Sequence, residues 1–343
     1  MHMADALISP AVGGVMLAGS AAIAAFSLKK VKLANDENRI PLMGVMGAFI
    51  FAVQMINFSI PATGSSGHLG GGLLLSAILG PEAGFLTMAC VLLIQALFFA
   101  DGGLLAFGCN LINMGFFACF IAYPFIYKVL TKRKNTPERI LSASMISAVV
   151  ALQAGAFAVV METLLSGKTA LPFGTFLLFM QPIHLAIGIV EGLITSAILI
   201  FVMKARPEML IVNSPDARTR RISRKGLAAI ILAAALIIGG CVSWFASAYP
   251  DGLEWSILKT AGSDELSSED VVHQTLTEIQ SKTALLPDYG FKDQGESADG
   301  GIVNAGTSVS GILGSLMILA IILMIGLTSG YIKKKTRRKT IIE

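Results

Sequence analysis

Charged residues, cysteines and histidines are all scarce in this chain of 343 residues. Asp, Glu, Lys and Arg make up 14% of the sequence, against roughly 25% in an average soluble domain, whereas 54% is hydrophobic. The four cysteines show no CxxC spacing, so the sequence indicates neither a zinc site nor a disulfide framework. This composition excludes a single soluble domain, a disordered chain and a disulfide-rich secreted protein.

Apolar runs recur from the first residues of the chain to Leu327. A helix of about 18 apolar residues is long enough to cross a membrane. We predict nine segments of this kind, at residues 6–28, 41–60, 71–80, 83–100, 103–127, 140–165, 175–203, 226–247 and 308–331. The run at 71–80 is too short to cross unaided and Pro81 ends it, so a re-entrant segment is the alternative there. The sequence therefore predicts an all-α polytopic membrane protein.

The basic residues predict how the chain lies in the membrane. Of the 26 Lys and Arg residues, 22 fall in four clusters, at 29–39, 128–139, 204–225 and 333–339. Because Lys and Arg concentrate in cytoplasmic loops, all four clusters should share one face of the cell membrane. The predicted crossings between successive clusters number four, two and two, and an even number returns the chain to the same face. We therefore expect a multi-pass plasma-membrane protein with its N-terminus outside and its C-terminus in the cytoplasm.

One long polar segment, at residues 249–304, is strongly acidic, with eleven Asp or Glu and only three Lys. The crossing count places it outside the cell, between the last two predicted helices, where we expect His273 to be solvated. We predict a seven-helix domain at 1–205, a basic cytoplasmic linker at 206–225, and a two-helix accessory module at 226–343 that carries the acidic outer loop.

Several catalytic motifs are missing from the chain. It contains neither the phosphate-binding GxxxxGK[ST] loop nor HExxH, and the stretch ending at His68 lacks the last Gly of GxSxG. We therefore expect a transport component without a prosthetic group rather than an enzyme. Any ATP hydrolysis would belong to partner proteins. The lipid bilayer is the expected surrounding, and no feature indicates a nucleic-acid partner.

Two of the four histidines are predicted to lie on the outer face, His2 beside the N-terminal amine and His68 in a Gly- and Ser-rich connection. The Met1 amine, the His2 backbone nitrogen and His2 Nδ1 can chelate one metal ion, and His68 can supply a fourth nitrogen. A planar set of four nitrogens suits Ni(II) or Cu(II), whereas Zn(II) prefers a tetrahedral site. The alternative is that His2 is incidental and His68 only caps a loop.

Three further ionisable residues are candidates for a role near that site. His184 and Glu191 lie on one face of the seventh predicted crossing, where ionisable residues are functional candidates by default. The alternative to a functional role is a structural one, in which a hydrogen bond between His184 and Glu191 helps to hold the helices together. Gly188 and Gly192 share their face in a spacing that favours close helix contact. Asp101, in an outer turn, is either a partner of a ligating histidine or simply suited to Asp-Gly turn geometry.

Six segments that occur in order resemble motifs of the substrate-capture subunits of energy-coupling-factor nickel and cobalt transporters, the NikM and CbiM type. They are Met1–Pro10, Thr63–Leu69, Ile78–Pro81, Gln95–Gly103, Gly108–Met114 and His184–Thr195. The first of them, MHMADALISP, is similar to the MHxxDxxxSP opening of those subunits. Residues 250–254, PDGLE, resemble the signature of the small accessory subunit, so the whole chain resembles the fused NikMN arrangement.

This resemblance implies a metal-importing subunit. It implies that Met1, His2 and His68 hold Ni(II), or alternatively Co(II) for cobalamin biosynthesis. It also implies that a transmembrane coupling protein and two cytoplasmic ATPases drive import, and that the accessory module helps metal to load or leave. The residues alone leave two other functions open. One is a transporter driven by an ion gradient, with His184 and Glu191 as a proton relay, and the other is a metal sensor whose acidic module signals.

Overall fold

The computed structural model describes residues 1–34, 39–132, 136–168, 170–206, 209–210, 222–263, 270–292 and 305–342, and nearly all of its regular structure is helical. The helices are α1 (Pro10–Ala34), α2 (Arg39–Gln54), α3 (Gly72–Leu79), α4 (Pro81–Phe98), α5 (Phe107–Thr131), α6 (Pro137–Leu165), α7 (Phe173–Ala205), α8 (Arg224–Gly240), α9 (Gly252–Ala261), α10 (Val271–Thr283) and α11 (Ala305–Ile342). Strands β1 (Phe58–Ile60) and β2 (Ser65–Gly67) pair antiparallel, with Ser59 opposite Ser66.

Six helices of the described chain are long and apolar enough to cross a membrane, namely α1, α4, α5, α6, α7 and the first part of α11. Their length and the near absence of strands confirm the prediction of an all-α polytopic membrane protein. Two further predicted crossings form the shorter helices α2, of 16 residues, and α8, of 17 residues.

The predicted crossing at 71–80 forms α3, a helix of only eight residues, all of them buried. Eight residues extend about 12 Å along a helix axis, less than half of a hydrocarbon core roughly 30 Å thick. Gly80 and Pro81 separate α3 from α4, as the sequence predicts. Because α3 is enclosed by protein, its ends do not expose backbone groups to lipid.

The glycine pair of α7 produces the close helix contact that its spacing predicts. A Cβ on Gly188 would lie 3.0 Å from the Val149 Cα, and one on Gly192 would lie 2.7 Å from the Met145 Cα. Both of those neighbours belong to the backbone of α6. The pair therefore lets α6 and α7 pack backbone to backbone, and this holds the buried face of α7 in a fixed position.

The two long helices of the second module pack against the first domain rather than standing apart from it. Both α8 and α11 contact α2, and they also contact each other. Ile318 and Ile322 of α11 are fully or almost fully buried there, as is Leu227 of α8. Most of the predicted linker, at 207–208 and 211–221, lies outside the described residues.

The acidic segment is folded where the structure describes it, since it forms α9, α10 and a short turn at Pro287–Tyr289. Residues 264–269 and 293–304 lie outside the described part. The expectation that His273 is solvated is wrong, because its side chain is buried and its Nε2 lies 3.0 Å from the Asp5 carbonyl oxygen and 2.8 Å from that of Ile8. Helix α10 folds back over the N-terminal segment, and this contact covers the ring.

Candidate metal centre

The first residues of the chain are threaded into the protein interior. The side chain of Asn110, at the start of α5, makes two hydrogen bonds with the backbone of Met3. Its Oδ1 accepts from the Met3 nitrogen at 2.7 Å, and its Nδ2 donates to the Met3 oxygen at 3.1 Å. The Gly103 nitrogen also donates to that oxygen, at 2.8 Å, and the Ala106 nitrogen donates to an Asp5 carboxylate oxygen at 2.9 Å. The N-terminal amine is therefore held at a defined position inside the protein.

The loop that carries His68 is fixed by Glu191, which reaches it from α7. The two carboxylate oxygens of Glu191 accept from the backbone nitrogens of Gly70, at 2.8 Å, and Gly71, at 3.1 Å. The Nδ1 of His68 lies 3.2 Å from the Leu69 carbonyl oxygen, which can only accept. This contact assigns the ring hydrogen to Nδ1 and leaves the lone pair of Nε2 available for a metal ion.

The ring of His2 is oriented by a chain of two glutamines. Gln95 donates its Nε2 hydrogen to the side-chain oxygen of Gln54 at 2.9 Å, and its own oxygen faces His2 Nε2 at 3.2 Å. An amide oxygen only accepts, and this contact is shorter than the 3.4 Å between Nδ1 and the Asp101 carboxylate, so the single hydrogen of the neutral ring is assigned to Nε2. Nδ1 is then the nitrogen without a hydrogen. Burial lowers the pKa of His2 to about 4, and the neighbouring Asp101 carboxylate opposes this only in part. The imidazole is therefore neutral at neutral pH, as a metal ligand must be.

The structure brings together the three residues that the sequence proposes as ligands. The Met1 amine lies 3.3 Å from His68 Nε2, and the rings of His2 and His68 stack with their centroids 5.0 Å apart. All three side chains are nearly or fully buried. No group of three His, Cys, Asp or Glu side chains suited to a metal occurs among the described residues. The Met1 amine and the two imidazoles are therefore the nitrogen groups that the structure brings together here.

Sequence reasoning did not place Asp251 in this site, although it singled out the motif that contains it. Its Oδ2 accepts from the Met1 ammonium at 3.0 Å and lies 3.7 Å from His68 Nε2. Its Oδ1 caps α9 by accepting from the backbone nitrogens of Leu253 and Glu254. Burial alone would raise the pKa of Asp251, but the neighbouring Met1 ammonium opposes it and the pKa lies well below its usual value. The carboxylate is therefore ionised.

Asp101 lies next to His2, as one of the two sequence interpretations expects. One of its carboxylate oxygens is 3.4 Å from His2 Nδ1, and the other accepts a hydrogen bond from the hydroxyl of Tyr289. Tyr289 belongs to the second module, and the sequence did not indicate that it lies near the proposed site. No local pattern marks it, since its role depends on a contact with a residue 188 positions earlier.

His184 and Glu191 do not bond to each other, so the His–Glu alternative is wrong. His184 donates its Nδ1 hydrogen to the Met180 carbonyl oxygen at 2.8 Å, which leaves Nε2 as an acceptor, and Nε2 finds no partner among the described residues. The ring borders a cavity of about 10 Å³, the space of one water molecule. This cavity is also lined by Met1, His68, Asp251 and Gly252.

Comparison with known proteins identifies the family of the chain. Residues 2–209 match the CbiM family, described as a cobalt uptake substrate-specific transmembrane region. The chain belongs to this family. Residues 225–330 match the PDGLE domain, so a second family follows the CbiM region in the same chain.

Some relatives of this CbiM-family chain are named for nickel, some for cobalt and some only for metal transport. It is 28% identical, over 94% of its length, to an Archaeoglobus fulgidus protein provisionally named fused nickel transport protein NikMN, of which 96% is covered. It is 24% identical to the cobalt transport protein CbiM of Geobacter sulfurreducens, over 70% of this chain and 72% of that one. A crystal structure of a truncated transition metal transporter matches with a TM-score of 0.53 and 32% identity, over 59% of this chain and 98% of that one.

Proposed function

We propose that this chain is the substrate-binding membrane subunit of an ATP-driven energy-coupling-factor importer and that it captures Ni(II). The observation that carries the proposal is the convergence of the Met1 amine and the His2 and His68 rings in one buried place. The amine, the backbone nitrogen and Nδ1 of His2, and Nε2 of His68 provide four nitrogens. A planar set of this kind suits Ni(II).

The orientation of both rings supports the proposal. The contacts made by Gln95 and by the Leu69 carbonyl leave His2 Nδ1 and His68 Nε2 without hydrogens, and these are the two atoms that the chelate requires. Ligating histidines ordinarily have their second nitrogen held in this way. A metal ion would therefore meet donors that are already oriented, and the Met1 ammonium would have to lose a proton when it binds.

The energy for import would come from partner proteins. The chain contains no phosphate-binding loop, so we propose a transmembrane coupling protein and two cytoplasmic ATPases as partners. In the plasma membrane the metal site would then face outside and the C-terminus would face the cytoplasm. The gradient-driven alternative predicts uptake by the isolated chain in energised vesicles. The ATP-driven importer predicts uptake only when the three partner proteins are present.

Cobalt is the second candidate substrate, because several relatives are named as cobalt transport proteins. The relative affinities of a site for different divalent metals do not by themselves determine which metal the protein binds in cells. Metal analysis of the protein purified from cells supplied with both ions distinguishes the two. Nickel in excess of cobalt supports the proposal, and cobalt in excess of nickel replaces Ni(II) by Co(II) at the same site.

The decisive experiment adds one residue in front of Met1. The added residue converts the terminal amine into an amide, so we expect high-affinity Ni(II) binding to be lost while the protein still inserts and folds. One residue added after Glu343 is the matched control and should leave binding unchanged. Binding is measured on the full chain in detergent by competition with a chelator. Equal affinity of the two extended proteins would show that the amine is not a ligand.

A further inference from the structure

The proposed nitrogen site lies against a single carboxylate oxygen that the second module supplies. Oδ2 of Asp251 is 3.0 Å from the Met1 amine and 3.7 Å from His68 Nε2. The exposed fractions of the three side chains are 3% for Met1, 8% for His68 and 14% for Asp251. Water therefore has little access to the charges in this place, and each charge must be balanced mainly by protein groups.

The position of that carboxylate is built into the fold. Its Oδ1 caps α9, and the Glu254 side chain accepts in return from the Asp251 backbone nitrogen at 2.9 Å, which completes a capping box. The loop before α9 is bound to the strand that precedes His68, because the Ser66 nitrogen donates to the Pro250 oxygen at 2.8 Å. Oδ2 is therefore held at the site, while Oδ1 is engaged by the helix.

Gly252 shows how tightly this segment is seated on the first domain. A Cβ at this position would lie 3.0 Å from the Ile187 Cδ1 and 3.2 Å from the His184 Cε1. Both of those side chains belong to α7, the helix that also fixes the His68 loop through Glu191. The residue after Asp251 must therefore be small for the carboxylate to reach the amine.

The charge of a bound ion requires a neighbour of this kind. Two neutral imidazoles and a neutral amine leave the charge of a divalent cation uncompensated, and a deprotonated backbone nitrogen removes only one unit of it. An unbalanced positive charge in a buried place is costly. Asp251, already within hydrogen-bond distance of one proposed ligand, can supply the missing negative charge. The other nearby carboxylate, Asp101, is more exposed, at 24%, and already accepts from Tyr289.

We propose that Asp251 is a member of the metal site, where its Oδ2 pairs with the Met1 ammonium in the empty protein and neutralises the captured divalent cation in the loaded one. This inference rests on the proposed function, because it assigns a charge partner to the same nitrogen site. The second module thereby contributes an atom to the ion's surroundings in addition to packing against the first domain.

The test replaces Asp251 by Asn, which keeps the shape of the side chain and can still cap α9. Ni(II) affinity of the full chain in detergent is measured by competition with a chelator at fixed pH. We expect the D251N protein to bind about 10- to 100-fold more weakly, as is typical for loss of a group that supports metal ligands. The matched control is Glu278→Gln, which removes one exposed negative charge from α10 in the same module and should leave the affinity unchanged.

Two further variants separate the explanations. Asp251→Glu retains the charge and should recover part of the lost affinity, which a purely structural defect would not allow. His68→Ala tests the nitrogen site itself. Loss of binding in H68A with unchanged binding in D251N would overturn this inference and leave the proposed function standing. Unchanged binding in H68A would overturn the proposed function. Equal weakening by D251N and E278Q would show only a general effect of the acidic module, screened by salt.

Discussion

The hydroxyl of Tyr289 donates a hydrogen bond to the carboxylate of Asp101, which joins the second module to the turn after α4. The other oxygen of that carboxylate lies 3.4 Å from His2 Nδ1. Burial and the nearby Asp101 raise the pKa of Tyr289 well above its usual value, so the hydroxyl keeps its hydrogen and acts as a donor. Both histidines of the proposed site are therefore close to a carboxylate. His68 lies near Asp251, which belongs to the second module, and His2 lies near Asp101, which Tyr289 of that module contacts.

Removing this hydroxyl should loosen the proposed site without unfolding the protein. In Tyr289→Phe the ring keeps its stacking on Phe99, but Asp101 loses a donor and becomes free to move. We expect Ni(II) affinity to fall by up to about 10- to 100-fold, measured by chelator competition. Tyr249→Phe, at an exposed position of the same module, is the matched control. Identical affinities for both variants would mean that the Asp101 position does not matter for binding.

Glu191→Gln should disturb the His68 loop. A carboxylate accepts from both the Gly70 and Gly71 nitrogens, whereas an amide offers one acceptor and turns its NH2 group toward the second N–H. The loss should cost about 1–3 kcal/mol of unfolding free energy, since one buried donor is left unpaired. We expect a lower thermal midpoint for the metal-free protein and weaker Ni(II) binding. Glu138→Gln at the exposed start of α6 should change neither, and an unaltered midpoint in E191Q would contradict this role for Glu191.

The metal-free protein should lose stability in mild acid. His2 has a pKa of about 4 in the folded protein because it is buried, compared with an ordinary value of 6.5. Between these two values the unfolded chain binds more protons, so the unfolding free energy falls as the pH is lowered through this window. Thermal midpoints measured across the window should show this slope. Replacing His2 by Asn should make the slope shallower, and an unchanged slope would mean that His2 does not contribute.

Deleting residues 226–343 should reduce metal uptake in cells that also carry the proposed coupling protein and ATPases. The deletion removes Asp251, Tyr289 and the His273 contact, and it uncovers the face of α2 on which α8 and α11 pack. Supplying the deleted part as a separate chain should restore uptake of ⁶³Ni. The control is the same separate chain with Asp251→Asn, which restores the packing but not the charge. Full uptake by the truncated chain would leave the second module without a part in transport.

The membrane class and the grouping of the proposed ligands were predictable from the sequence for clear physical reasons. Long apolar runs form membrane-spanning helices because a helix satisfies all of its backbone hydrogen bonds within the lipid. Counting basic clusters then places His2 and His68 on one face, and the structure brings the two rings together. A close helix contact at Gly188 and Gly192 could also be predicted, because their spacing acts locally on one helix face, but the spacing does not identify α6 as the partner.

The carboxylates and the buried histidine around the site could not be predicted in the same way. Asp251 reaches Met1 across 250 residues, and His273 reaches Asp5 across 268. Such contacts follow from how the second module folds over the first, and no spacing or periodicity encodes them. The role of Glu191 was equally hidden, because helix geometry indicates which face it occupies but not that a glycine-rich loop covers that face.

The contact between Met1 and Asp251 determines how late in synthesis the proposed site can be complete. Met1 is synthesised 250 residues before Asp251. The complete pocket therefore assembles only after α9 has been made and has reached the same side of the membrane as Met1. The proposed site therefore lacks this carboxylate until the whole of the first domain has been synthesised, however early Met1 takes up its position.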